Sequence, residues 1–85
     1  MNYRVRWRKA AKRQLADVWI RASDRAGVTA ASDSVDPILG RNPHAQGESR
    51  SGSRRIWIVE PLVFFYDIDD ANRTVTVVAV SELPG

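Results

Sequence analysis

Two groups of cations are the residues best equipped for chemistry. Arg54 and Arg55 stand side by side at the start of an apolar run, with Arg50 just before them. A guanidinium presents a planar fork suited to phosphate or carboxylate, so these three are candidate phosphate clamps. Breaking a phosphodiester would also need a base and an acid. The neighbouring stretch offers only His44 and Glu48 for that work, and a lone loop histidine is most simply a solvated one. The second group is Arg4, Arg6, Arg8, Lys9, Lys12 and Arg13, six cations with no acid among residues 1–13. Such a cluster predicts salt-sensitive binding to phosphate or to an acidic partner, since phosphate contacts release counterions. A solvated basic face explains it equally well.

These residues need elements to place them. Residues 54–80 hold most of the large apolar side chains and read as three strands, Arg55–Val59, Leu62–Ile68 and Thr74–Val80, rich in Val, Ile, Thr and aromatics. Glu60-Pro61 and Asp69–Asn72 punctuate them, and links this short force antiparallel neighbours. Asn2–Trp7 alternates, with Tyr3, Val5 and Trp7 on one face and Arg4 and Arg6 on the other, which predicts a short edge strand. Arg8–Ala22 predicts a helix through the stripe Ala11, Leu15, Val18 and Ala22, widened by Trp19. Val28, Ala31, Val35 and Leu39 continue the stripe in a second helix, with a break near Asp36 and Pro37–Leu39 as a short extra turn, or a kinked helix, expected because Pro37 lacks an N–H. Arg41–Ser53 reads as a loop, long enough to be functional or mobile. The order is β-α-α-β-β-β, an α+β fold with two helices on one face of a mostly antiparallel four-stranded sheet.

Composition narrows the classes. Eighty-five residues suit one domain, 1–85. There is no cysteine, hence no disulfide framework and no thiolate metal site, and no metal or cofactor is expected. No signal peptide and no membrane-spanning run is read, so a cytoplasmic protein without a membrane partner is expected. The middle strand is apolar on both sides, with Leu62, Phe64, Tyr66 and Ile68 on one and Val63 and Phe65 on the other. Two helices cover one face, so an apolar patch on the other is expected to face a partner or a second copy of the chain. Trp57, Phe65 and Tyr66 are the candidate partner contacts. Strand alternation puts Arg54 and Arg55 on opposite faces.

The order Tyr3-Arg4-Val5, Trp7, Ala10/Ala11, Leu15, Ile20, Leu39, Asn42-Pro43, Gly47, Arg54/Arg55, Phe64–Ile68 and Val75–Val80 resembles the RelE/ParE superfamily, toxins of bacterial type II toxin–antitoxin modules, along essentially the whole chain. The resemblance implies a small toxin neutralised by a cognate antitoxin, with gyrase or the ribosome and its mRNA as targets. In the RNA-cleaving branch Arg55 falls at the first strand's basic position, so the resemblance implies Arg55, with Arg54 beside it, as the candidate catalytic pair and puts Arg55 on the open face. The next strand's arginine aligns with Val63, and the basic or tyrosine residues beyond the last strand align with Ser81–Gly85. Tyr66 matches the family's structural tyrosine. Most of the ribonuclease set is therefore missing, which implies a toxin that acts by binding. A ribosome-dependent endoribonuclease and a non-toxic interaction module are the alternatives.

Overall fold

The computed structural model describes residues 2–84. Strand β1 (Arg4–Trp7) leads into helices α1 (Lys9–Arg21) and α2 (Arg25–Arg41), a 3-10 turn at Pro43–Ala45, and strands β2 (Glu48–Ser49), β3 (Arg54–Val59), β4 (Leu62–Asp69) and β5 (Thr74–Glu82). The sheet has five strands in the order β1-β5-β4-β3-β2. β1 runs parallel to β5, because the helical hairpin carries the chain across, and every other pair is antiparallel. The expected four-stranded sheet is thus corrected to five. The added strand has only two residues, Glu48 and Ser49, paired with Ile56 and Arg55, too few to leave a period in the sequence.

The helices cover one face, called the inner face here. Ala11 and Val18 of α1 and Val28, Ala31, Val35 and Leu39 of α2 are buried against Trp57, Leu62, Phe64, Tyr66, Ile68, Val75, Val77 and Val80. Trp7 meets Phe64 edge-on at 6.1 Å, and Trp57 lies 5.9 Å from the same ring. A register shift in β4–β5 lies beside Phe65 and Tyr66. There the Val80 N–H donates to the Gln14 side chain at 2.8 Å, so α1 satisfies a backbone group near the irregular stretch.

Three local expectations are corrected. α2 does not break at Asp36 but runs through Pro37 to Arg41. Pro37 lies on the exposed side, where water can take the carbonyl it leaves unpaired, while Val35 and Leu39 stay in the core. Trp19 does not widen the core stripe: it is 42% exposed, with the Arg25 guanidinium 4.6 Å from its ring centroid. Arg25 also donates to the carbonyls of Trp19 and Ile20, capping α1. Finally, residues 41–53 are not wholly loop, since they hold the last residue of α2, the 3-10 turn and β2.

Candidate functional site

Alternation from Trp57, which must face the core, fixes the two arginines. Arg55 is two residues from Trp57 and pairs across the sheet with Tyr66, so it shares the inner face. Arg54 pairs with Asp67 on the outer face. The expected assignment, with Arg55 on the open side, is therefore reversed. The Arg54 guanidinium grips both oxygens of Asp67, and this bond holds Arg54 charged more firmly. A bidentate pair of this kind cancels the cation locally and leaves Arg54 a poor phosphate clamp.

Elsewhere on β3 and β4 the outer face is built from Ile56, Ile58, Val63 and Phe65. Ile56 stands opposite Phe65 and Ile58 opposite Val63, and each pair shields its own members. Val63 is buried by this packing, Ile56 and Phe65 are half-buried, and Ile58 stays 55% exposed. The uncovered apolar patch is therefore smaller than face counting predicts. Of the three aromatic residues expected to meet a partner, Tyr66 is fully buried and Trp57 nearly so, because both point into the helix-covered core. Only Phe65 lies on the outer face.

Arg55 does structural work at the other end of the inner face. Its Nε donates to the Gln46 carbonyl at 2.9 Å, one terminal nitrogen to Ser49 Oγ at 3.0 Å, and the other to the Gly47 carbonyl at 3.1 Å. Gly47 has φ of 63°, and a Cβ there would collide with the Ile56 carbonyl, so the chain passes this close to β3 only as glycine. The Tyr66 hydroxyl lies 2.8 Å from the Pro43 carbonyl and 2.9 Å from that of Gln46. Burial raises its pKa, and the nearby Arg55 charge pulls it down in part. Together Arg55 and Tyr66 tie segment 43–49 to the sheet.

That segment brings His44 against the β4–β5 turn. His44 Nε2 is 2.8 Å from Asp70 Oδ1, and the Tyr3 hydroxyl donates to the same oxygen at 2.6 Å. Both bonds hold the Asp70 carboxyl below its ordinary pKa, while the Asp70 bond raises the Tyr3 hydroxyl's. His44, Ser49, Gly52, Ser53, Arg55, Ile68 and Asp70 line a cleft of about 330 Å³. Sequence reasoning singled out His44 and Arg55 separately and missed Asp70 and Tyr3, which lie 26 and 67 residues from their partners.

The amino-terminal cations do not form one surface. Arg4 and Arg6 project from the outer face of β1, whereas Lys9, Lys12 and Arg13 are exposed on α1, which packs on the inner face. None of them makes an ion pair; the pairs among the described residues are His44–Asp70, Arg50–Glu48 and Arg54–Asp67. Arg50, 3.3 Å from Glu48, lies outside the cleft. Among the described residues no cluster of His, Asp or Glu could hold a metal, and no helix is long and apolar enough to cross a membrane.

An α+β layer of two helices on a five-stranded sheet with a parallel edge strand defines the fold class. Solved proteins of that architecture include bacterial toxins. The toxin–antitoxin complex RelBE2 from Mycobacterium tuberculosis is 22% identical, with a TM-score of 0.76 over 96% of this chain and 99% of that one. The chromosomal ParDE system from P. aeruginosa is 14% identical, with a TM-score of 0.67 over 96% of this chain and 97% of that one. The free E. coli toxin RelE, in a doubly substituted form, is 14% identical, with a TM-score of 0.66 over 96% of this chain and 84% of that one. No family model and no curated protein matches the chain. The chain shares its fold with these solved structures.

Proposed function

We propose that residues 1–85 form one toxin domain of a type II toxin–antitoxin module, which acts by binding a nucleic-acid-processing target, gyrase or the ribosome, and is neutralised by a cognate antitoxin. The fold shared with RelBE2 and ParDE along nearly the whole chain supports the module role. The observation that carries binding over cleavage is the outer face. The arginine on its β3 strand, Arg54, is neutralised by Asp67 and stands among Ile56, Ile58, Val63 and Phe65, which offers a partner apolar contact and places no acid–base group there for a scissile phosphate. Exposed Ile58 and the edge of β3 beside it are where an antitoxin segment, or a second copy in its absence, would pack. Arg4 and Arg6 on the same face supply the salt-sensitive part of recognition. A cytoplasmic location follows from such a target.

The test adds the purified chain to a gyrase supercoiling reaction and to an in vitro translation reaction, with the mRNA analysed by primer extension. Inhibition of either reaction with intact mRNA supports the proposal. Inhibition with new mRNA ends supports the endoribonuclease reading instead, for which His44 and Arg55 in one cleft are the available acid–base group and cation. No inhibition by a folded chain, in either reaction, removes both.

A further inference from the structure

We propose that the cleft between His44 and Arg55 is a binding site for a phosphate monoester, separate from the outer face and independent of the toxin reading. Arg55 is the fixed cation. Its three hydrogen bonds to Gln46, Gly47 and Ser49 hold the fork rigid, yet they use only three of its five donors. No carboxylate stands within ion-pair distance of it, in contrast to Arg54. A preorganised, unneutralised guanidinium facing a cleft is what an anion needs, because the ordering cost is already met by the fold.

The other lining groups fit the same ligand. Ser49 and Ser53 bring hydroxyls, and Gly52 leaves its side of the wall open, since nothing lies within 4 Å of where a Cβ would be. The one lining carboxylate, Asp70, is occupied: its Oδ1 takes the Tyr3 hydroxyl and His44 Nε2. Neutral His44 therefore carries its proton on Nε2, and Nδ1 is left without a protein partner. Nδ1 can accept a hydrogen bond from a hydroxyl of the ligand. The groups that face His44 are Asp70, the Tyr3 ring and, across the cleft, Arg55, with Arg73 above Tyr3. The cleft of about 330 Å³ exceeds a bare phosphate and lies at the small end of sites for drug-sized ligands, so a small phosphorylated molecule is accommodated.

The experiment is a calorimetric and NMR titration of the full chain with inorganic phosphate, sulfate and a nucleoside 5′-monophosphate. Saturable one-site binding of phosphate is expected, with shifts in the His44 ring signals. Tighter binding of the nucleotide assigns the site to a phosphorylated metabolite, and equal binding to phosphate itself. Sulfate, of the same shape and without an ester arm, should compete with phosphate for the same site. Arg55→Lys, which keeps the charge and loses the fork, should weaken binding about tenfold or more. Since that variant could loosen segment 43–49, His44→Gln at an exposed position is the second probe: it should weaken binding measurably and leave the fold intact. Arg50→Gln, outside the cleft, should bind as the parent does. Absence of saturable binding, or equal binding by His44→Gln and the parent, overturns the proposal while leaving the supercoiling and translation results untouched.

Discussion

Removing one oxygen, in Tyr66→Phe, tests how segment 43–49 is held. Tyr66 is fully buried and phenylalanine fills the same space, so no cavity is created. The Gln46 carbonyl keeps its bond from Arg55 Nε, whereas no other donor to the Pro43 carbonyl is seen among the described residues. The loss is then one stranded buried acceptor, which costs about 1–2 kcal/mol. For a chain of this length that lowers Tm by roughly 5–15 °C. Thermal unfolding gives the number, and hydrogen exchange locates it. The Ala45 amide, bonded to the Asn42 carbonyl in the adjacent turn, should lose protection more than the amides of β4 and β5. A Tm drop under about 2 °C with unchanged exchange at Ala45 would refute the idea that this hydroxyl anchors the segment.

Pro37→Ala should stabilise the chain, by about 1–3 kcal/mol, because α2 is already continuous there and alanine restores the missing N–H; denaturant titration measures it. Ile58→Glu should change stability by less than about 0.5 kcal/mol, since the side chain is 55% exposed, but reduce self-association in sedimentation experiments. Acid should destabilise the fold through Asp69 and Asp70, whose carboxyls Asn72 and Tyr3 with His44 hold below their ordinary pKa. A depressed folded pKa stabilises above the unfolded value, so this contribution is lost as pH falls below about 4. Asp70→Asn should flatten the pH profile of Tm in that range.

Periodicity carried most of the fold. The two apolar stripes and the three long strands follow from side chains that must share one face, and burial enforces that pattern wherever it is strong. It fails where a few residues are held from outside. β2 exists because Arg55 and β3 capture Glu48 and Ser49. α2 passes Pro37 because Val35 and Leu39 hold it from the core side. Arg54 and Arg55 were expected on the wrong faces, although Trp57 gave the signal: a large aromatic two residues away belongs inside, and Arg55 with it. The cleft is of another kind. His44, Asp70 and Tyr3 meet only after the helical hairpin and the sheet are assembled, and no local spacing announces them.

The central claim, a toxin that acts by binding and is covered by an antitoxin, meets its most direct test in a growth curve. The chain is expressed from an inducible promoter in a bacterial host, alone and together with the open reading frame that adjoins its gene. The account predicts growth arrest on induction alone, rescue by the neighbour, and weaker arrest for Phe65→Glu and Ile58→Glu at equal protein levels. Unimpaired growth with abundant folded protein, or arrest that both outer-face variants leave unchanged, would contradict it.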